Sequence, residues 1–96
     1  MIDDEFEWDD AKAEANFQKH GVDFLTATKA FRDAYGIDEV DDSLKYGEQR
    51  FRLLARVGEH LLLVVYSERG ETIRNISARQ ATRREHDRYF RENTQD

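Results

Sequence analysis

The 96-residue chain has no cysteine and no proline. The absence of cysteine excludes disulfides, thiolate metal sites and a cysteine nucleophile. Long apolar runs are missing too. The longest is Leu61–Tyr66, and the start of the chain has no basic segment followed by an apolar stretch. Neither a signal peptide nor a membrane span is expected, and the expected location is the cytoplasm. Glycine is scarce, with five residues, and forms no phosphate-cradling loop and no nucleophile elbow. That argues against nucleotide-binding folds and a serine triad. His20, His60 and His86 have no ligand spacing to one another, so no metal and no cofactor is expected.

Charge is abundant. Charged residues make up 38% of the chain, hydrophobic residues 39% and aromatics 11%. One domain over 1–96 with a thin core and a densely charged surface follows. The net charge of −6 speaks at first against a nucleic-acid partner. Its distribution does not. Residues 1–50 carry −8 and residues 51–96 carry +2, and from Arg69 onward there are seven arginines and no lysine. Arginine is suited to two-pronged contact with phosphate or carboxylate.

Phe6-Glu7-Trp8 alternates as a short strand would. Asp9 caps a helix over Asp10–Lys19, with Lys19 and His20 in its last turn and Gly21 after it. Asp23 caps a second helix, whose stripe of Phe24, Ala27, Thr28 and Phe31 ends near Asp33–Gly36. Ile37–Val40 reads as a short strand and Asp41–Glu48 as a loop. Arg50–Val57 alternates with period two, with Phe51, Leu53, Ala55 and Val57 on one face and Arg50, Arg52, Leu54 and Arg56 on the other. Gly58-Glu59 turns the chain into an apolar strand over His60–Ser67. Arg69-Gly70 turns it again into a strand over Thr72–Ser77. Ser77 with Gln80 matches a capping box, which predicts a last helix from Ala78 to Arg91 with a weak apolar face of Ala78, Ala81 and Tyr89. The fold class is α+β: an antiparallel sheet of about four strands, two N-terminal helices and a C-terminal helix.

The arginines are the main chemical feature. Arg50, Arg52, Arg56, Arg69 and Arg74 lie on or beside three strands, and Arg79 and Arg83 are expected one helical turn apart. They converge on a phosphate-binding surface or pair with the many carboxylates. His20, at the end of its helix, is a general acid, a phosphate ligand or a simple cap. Glu85-His86-Asp87 reads as a solvated face. Trp8, Phe6 and Tyr66 read as core, and Tyr46 and Tyr89 as core or base-stacking residues.

Taken in order, several segments resemble the BrnT toxin family of bacterial type II toxin–antitoxin systems. They are Phe6-Glu7-Trp8-Asp9, Lys19-His20-Gly21-Val22 with Phe24, Tyr46-Gly47-Glu48, Arg50-Phe51, Ser67-Glu68-Arg69-Gly70, Ile73-Arg74, Ile76-Ser77-Ala78-Arg79, Ala81-Thr82 and Glu85. The resemblance implies a RelE-like fold and a metal-independent ribonuclease that stops translation and growth. It implies a BrnA-like ribbon-helix-helix antitoxin whose dimer joins two toxins in a heterotetramer, with promoter DNA bound only through the antitoxin and no membrane partner. The implied chemistry is attack of a ribose 2′-hydroxyl on the adjacent phosphate of an RNA substrate. His20 would be acid or base, Glu48 a second candidate base, and Arg79 and Arg83 would stabilise the transition state. Lys19, Arg50, Arg52, Arg69 and Arg74 would hold the RNA. The chain departs from the family at Asp33-Ala34-Tyr35-Gly36, where Asp-Pro is frequent, and at Asn75, where an apolar residue is frequent. The stretch Asp38–Asp42 is also unusually acidic. The competing reading is a non-catalytic module that binds a DNA-binding protein, favoured by the acidic net charge and the lack of an evident acid–base pair.

Overall fold

A computed structural model describes residues 5–41 and 47–94. Tyr46 and most of the expected Asp41–Glu48 loop lie outside these residues. The elements run β1 (Phe6–Glu7), α1 (Asp10–His20), α2 (Phe24–Thr28) continued by a 3-10 turn (Lys29–Arg32), β2 (Ile37–Asp41), β3 (Arg50–Val57), β4 (His60–Arg69), β5 (Thr72–Gln80) and α3 (Arg83–Glu92). The sheet has five strands in the order β1-β5-β4-β3-β2.

Local signals account for the N-terminal half. The Asp9 carboxylate accepts from the Lys12 N–H, and Gly21 ends α1 at φ 73°, a left-handed value that most side chains resist. Asp23 caps α2 in the same way, through the Thr26 N–H.

The expected meander is present, with two corrections. First, β1 pairs with β5 in parallel, Phe6 opposite Ile73 and Glu7 opposite Arg74. The sheet is therefore mixed and five-stranded, not antiparallel and four-stranded. Second, Ser77-Ala78-Arg79-Gln80 is strand, not the start of a helix. Leu62 and Leu63 of β4 pair with Gln80 and Arg79, and Ala78 is fully buried. Ending β5 at Ser77 would strand backbone groups of the central strand without partners. The capping box lies five residues on, where Thr82 accepts from the Glu85 N–H and Glu85 from the Thr82 N–H, so α3 begins at Arg83. The last turn likewise moves by one residue, to Gly70-Glu71, flanked by the pair Arg69 and Thr72.

The two faces of the sheet differ. On one, α1, α2 and the 3-10 turn cover the main core: Phe24, Ala27 and Ala30 pack with Trp8, Leu53, Ala55, Leu62, Val64, Tyr66 and Ala78. Burying each large apolar side chain here contributes about 1.5–3 kcal/mol. On the other, α3 covers only one end, where Tyr89 packs with Leu54, Leu61 and Leu63. Of the apolar face expected on this helix only Tyr89 lies in α3; Ala78 belongs to β5 and Ala81 precedes the helix, and the docking is partial.

Two polar residues fix the edges. Asn16 of α1 donates to the carbonyls of Ala78 and Val22, and its own carbonyl accepts from the Ala78 N–H. It stands in for a neighbouring strand along β5 beyond short β1. Asp33 accepts from the Arg56 N–H, the Tyr89 hydroxyl and the Tyr35 N–H, tying β3, α3 and the 3-10 turn together.

Candidate functional site

Strand register sorts the charged residues. Side chains alternate across a sheet, so residues paired across strands share a face. Ile37, Leu54, Leu63 and Arg79 form one row across β2 to β5, and α3 sits on it. The next row holds Glu39, Arg52, Val65 and Ser77. The row after that holds Asp41 opposite Arg50, and Ser67 opposite Arg74 opposite Glu7. Arg69 follows on the same face. A register shift after Val65 places the last row correctly: Val65 faces Ser77, but Tyr66 faces Asn75. The half of this face that α3 leaves uncovered is therefore lined by Arg50, Arg52, Arg69 and Arg74.

These arginines are held with different strength. Arg79 makes a two-pronged pair with Glu85, at 2.8 and 3.0 Å. That guanidinium, with help from the Thr82 N–H, keeps the Glu85 carboxyl below its usual range against the effect of burial. Glu39 accepts two bonds from Arg88, at 2.9 and 2.8 Å, and one from Arg52 at 3.1 Å. Arg88 is the main reason its carboxyl stays below the ordinary value. Three contacts in the outer row are longer. Glu7 Oε1 lies 3.7 Å from both Arg69 Nε and Arg74 Nη1, and Arg50 Nε lies 3.9 Å from Glu48. Glu7 Oε1 and Ser67 Oγ, both in this row, are buried and find no hydrogen-bond partner among the described residues.

The structure brings Arg50, Arg52, Arg69 and Arg74 to one open face, with Glu48 beside Arg50. Arg79 stands at the α3 rim, and Arg83 is exposed in the first turn of α3. Arg79 and Arg83 are not on one helix as expected. Lys19 and His20 are elsewhere. They end α1, whose Asn16 binds Ala78, and the next residue, Gly21, lines a cleft of about 220 Å³ with Val57, His60 and Gln80. That cleft is at the opposite end of the sheet from Arg50 and beside the helix-covered face. Glu7 and Ser67, quoted in family-like segments but given no site role from the sequence, join the site because β1 pairs with β5 and because of the register shift. Among the described residues, no three His, Cys, Asp or Glu side chains gather to hold a metal ion, and no helix is long and apolar enough to cross a membrane. Phe6, Trp8, Tyr66 and Tyr89 are buried, as core residues should be.

The fold and this face define a small α+β protein whose sheet carries an arginine-lined surface left half open by its terminal helix. Over residues 8–85 the chain matches the family model described as ribonuclease toxin, BrnT, of type II toxin-antitoxin system. It belongs to that family, and the resemblance drawn from its segments is borne out. No curated protein matches the chain. Membership of a type II toxin–antitoxin family implies a ribonuclease activity and an antitoxin partner.

Proposed function

We propose that the chain is a metal-independent endoribonuclease that cuts RNA internally on the uncovered sheet face, and so inhibits translation and growth. The observation that carries this reading is the placement of Arg50, Arg52, Arg69 and Arg74 on one face beside carboxylates. Arg69 and Arg74, whose ion pairs with Glu7 are long, exchange a carboxylate for an RNA phosphate most readily. Arg79, paired with Glu85, and Arg83 extend the cationic surface at the rim. Glu48, on the chain leading into β3, is a candidate base. Lys19 and His20 lie away from this face, and this reading gives them no chemical step. A ribbon-helix-helix antitoxin of the BrnA type would neutralise the toxin, its dimer joining two toxin chains and carrying the complex to promoter DNA.

Two experiments test this. Induced expression should arrest bacterial growth, and co-expression of the adjacent antitoxin frame should relieve it. The purified protein should cut single-stranded RNA in the presence of EDTA. Harmless expression together with intact RNA would refute the reading.

One observation favours a non-catalytic binding module instead: Arg52, Arg79 and Arg88 are committed to short ion pairs with Glu39 and Glu85. That module would bind the antitoxin equally well but leave RNA uncut, so the cleavage assay separates the two.

A further inference from the structure

We propose that Glu7 is the catalytic carboxylate of the arginine face, the group that takes the proton from the attacking ribose 2′-hydroxyl; the inference rests on the ribonuclease reading above. Glu7 ends the outer row, paired across the sheet with Arg74, which is itself paired with Ser67. Its Oε1 is fixed between two guanidinium groups at 3.7 Å, yet it accepts no hydrogen bond among the described residues. Other carboxylates of this face are already in use. Glu39 accepts from Arg52 and Arg88, and Glu85 from Arg79 and the Thr82 N–H. Glu48 is 40% exposed at the chain entering β3, whereas the Glu7 side chain is 17% exposed. Glu7 therefore combines a fixed position between two guanidinium groups with a carboxylate side chain that is 17% exposed beside the open face.

Its neighbours supply the rest of a transesterification site. Arg69 and Arg74 sit where charge would build on the phosphorane. Ser67 Oγ, 2% exposed and without a hydrogen-bond partner among the described residues, lies buried beneath the row opposite Arg74. In the step, the O2′–H bond breaks and its proton passes to the Glu7 carboxylate. The O2′ electron pair forms the O2′–P bond as P–O5′ breaks. O5′ leaves with a proton from a water molecule, and the hydroxide so formed takes the proton back from Glu7. The products are a 2′,3′-cyclic phosphate and a 5′-hydroxyl.

The test uses wild type, Glu7→Gln and Glu7→Asp on single-stranded RNA. It reads cleavage rate against pH, end-group chemistry, binding to uncleavable 2′-O-methyl RNA, and thermal melting. Glu7→Gln should lose about 10²–10⁴-fold in cleavage rate, the usual contribution of a positioned proton acceptor. It should bind 2′-O-methyl RNA as tightly as wild type or more tightly, since a negative charge leaves the arginine cluster, and should melt as wild type does. Glu7→Asp should keep partial activity and the wild-type fall in rate at low pH, which Glu7→Gln should lack. The proposal is overturned if Glu7→Gln cleaves at the wild-type rate, if its loss of cleavage follows a loss of RNA binding, or if wild type leaves 3′-hydroxyl ends. If wild type cuts no RNA, the ribonuclease reading itself fails; if wild type cuts and Glu7→Gln cuts equally well, only the role of Glu7 fails.

Discussion

Arg79 and Glu85 join β5 to the first turn of α3 through two parallel bonds, at 2.8 and 3.0 Å, and the same carboxylate caps the helix through the Thr82 N–H. One side chain thus anchors the helix twice. Glu85→Ala should destabilise the protein by about 1–2 kcal/mol, the range for losing a helix cap, since the partly exposed ion pair adds little. Arg79→Ala leaves the capping box intact and should cost less. Urea midpoints of both variants check the order, and equal losses would show that the ion pair outweighs the cap.

Asn16 offers a sharper case because it is buried. Its amide closes three backbone bonds, at 2.9 to 3.2 Å, to Val22 and Ala78. Asn16→Leu fills similar space but leaves these backbone groups unpaired. The cost should be about 2–4 kcal/mol, given about 1–3 kcal/mol for an orphaned buried polar group. A two-state urea titration measures it. A loss under 1 kcal/mol, well below that range, would mean water reaches the β5 edge and replaces the amide.

How much was legible follows from where each signal resides. Asp9, Lys19, His20 and Gly21 define α1 within a dozen positions, and the alternation in Arg50–Val57 places three arginines on one face. The boundary between β5 and α3 was not legible locally. Ser77…Gln80 and Thr82…Glu85 are both capping boxes by pattern. The choice between them is made by β4, whose backbone needs partners as far as Gln80. Glu7 and Ser67 were hidden for a similar reason. Their face is set by a parallel pairing between chain ends and by a register shift, and neither leaves a local pattern.

Asn75 is the clearest conflict between sequence and environment. It is 4% exposed, opposite Tyr66, and neither amide atom finds a hydrogen-bond partner among the described residues. A buried amide in this state costs about 1–3 kcal/mol, and a β-branched apolar residue suits a strand. Asn75→Val should therefore stabilise the chain and raise Tm by about 4–8 °C for each kcal/mol recovered. A lower Tm would show that the amide is satisfied in solution.

Stability should also depend on pH in a stated direction. Glu39 and Glu85 have carboxyls held below the usual 4.5, chiefly by Arg88 and Arg79 respectively. Burial opposes ionisation of Asp33, but the Arg56 N–H, the Tyr89 hydroxyl and the Tyr35 N–H together hold it below 3.8. Groups with depressed folded values stabilise the fold above their unfolded values and lose that contribution as pH falls through the folded ones. Urea midpoints should hold steady down to about pH 5 and then decline. Glu39→Gln should flatten that decline. Tyr89 has the opposite sign. Burial and the Asp33 carboxylate push its hydroxyl up to about 12, so its contribution fades as pH rises above 10.

The arginine face makes the last prediction, one that charge totals alone would not give. A chain of net charge −6 repels RNA at long range, so binding must come from a few local contacts. Each phosphate contact on a single strand adds about 0.7 to the slope of log affinity against log salt. Arg69→Ala and Arg74→Ala should each lower that slope by about one such step and weaken cleavage. Arg52→Ala should change it less, because Arg52 is already bonded to Glu39 at 3.1 Å and would have to leave a carboxylate to meet a phosphate. His20→Ala, at the far end of the sheet, should leave the slope unchanged. Filter binding of uncleavable RNA across a salt series distinguishes these. If His20→Ala and Arg74→Ala shift the slope equally, the RNA does not follow the row that joins Glu7, Arg74, Ser67 and Arg50.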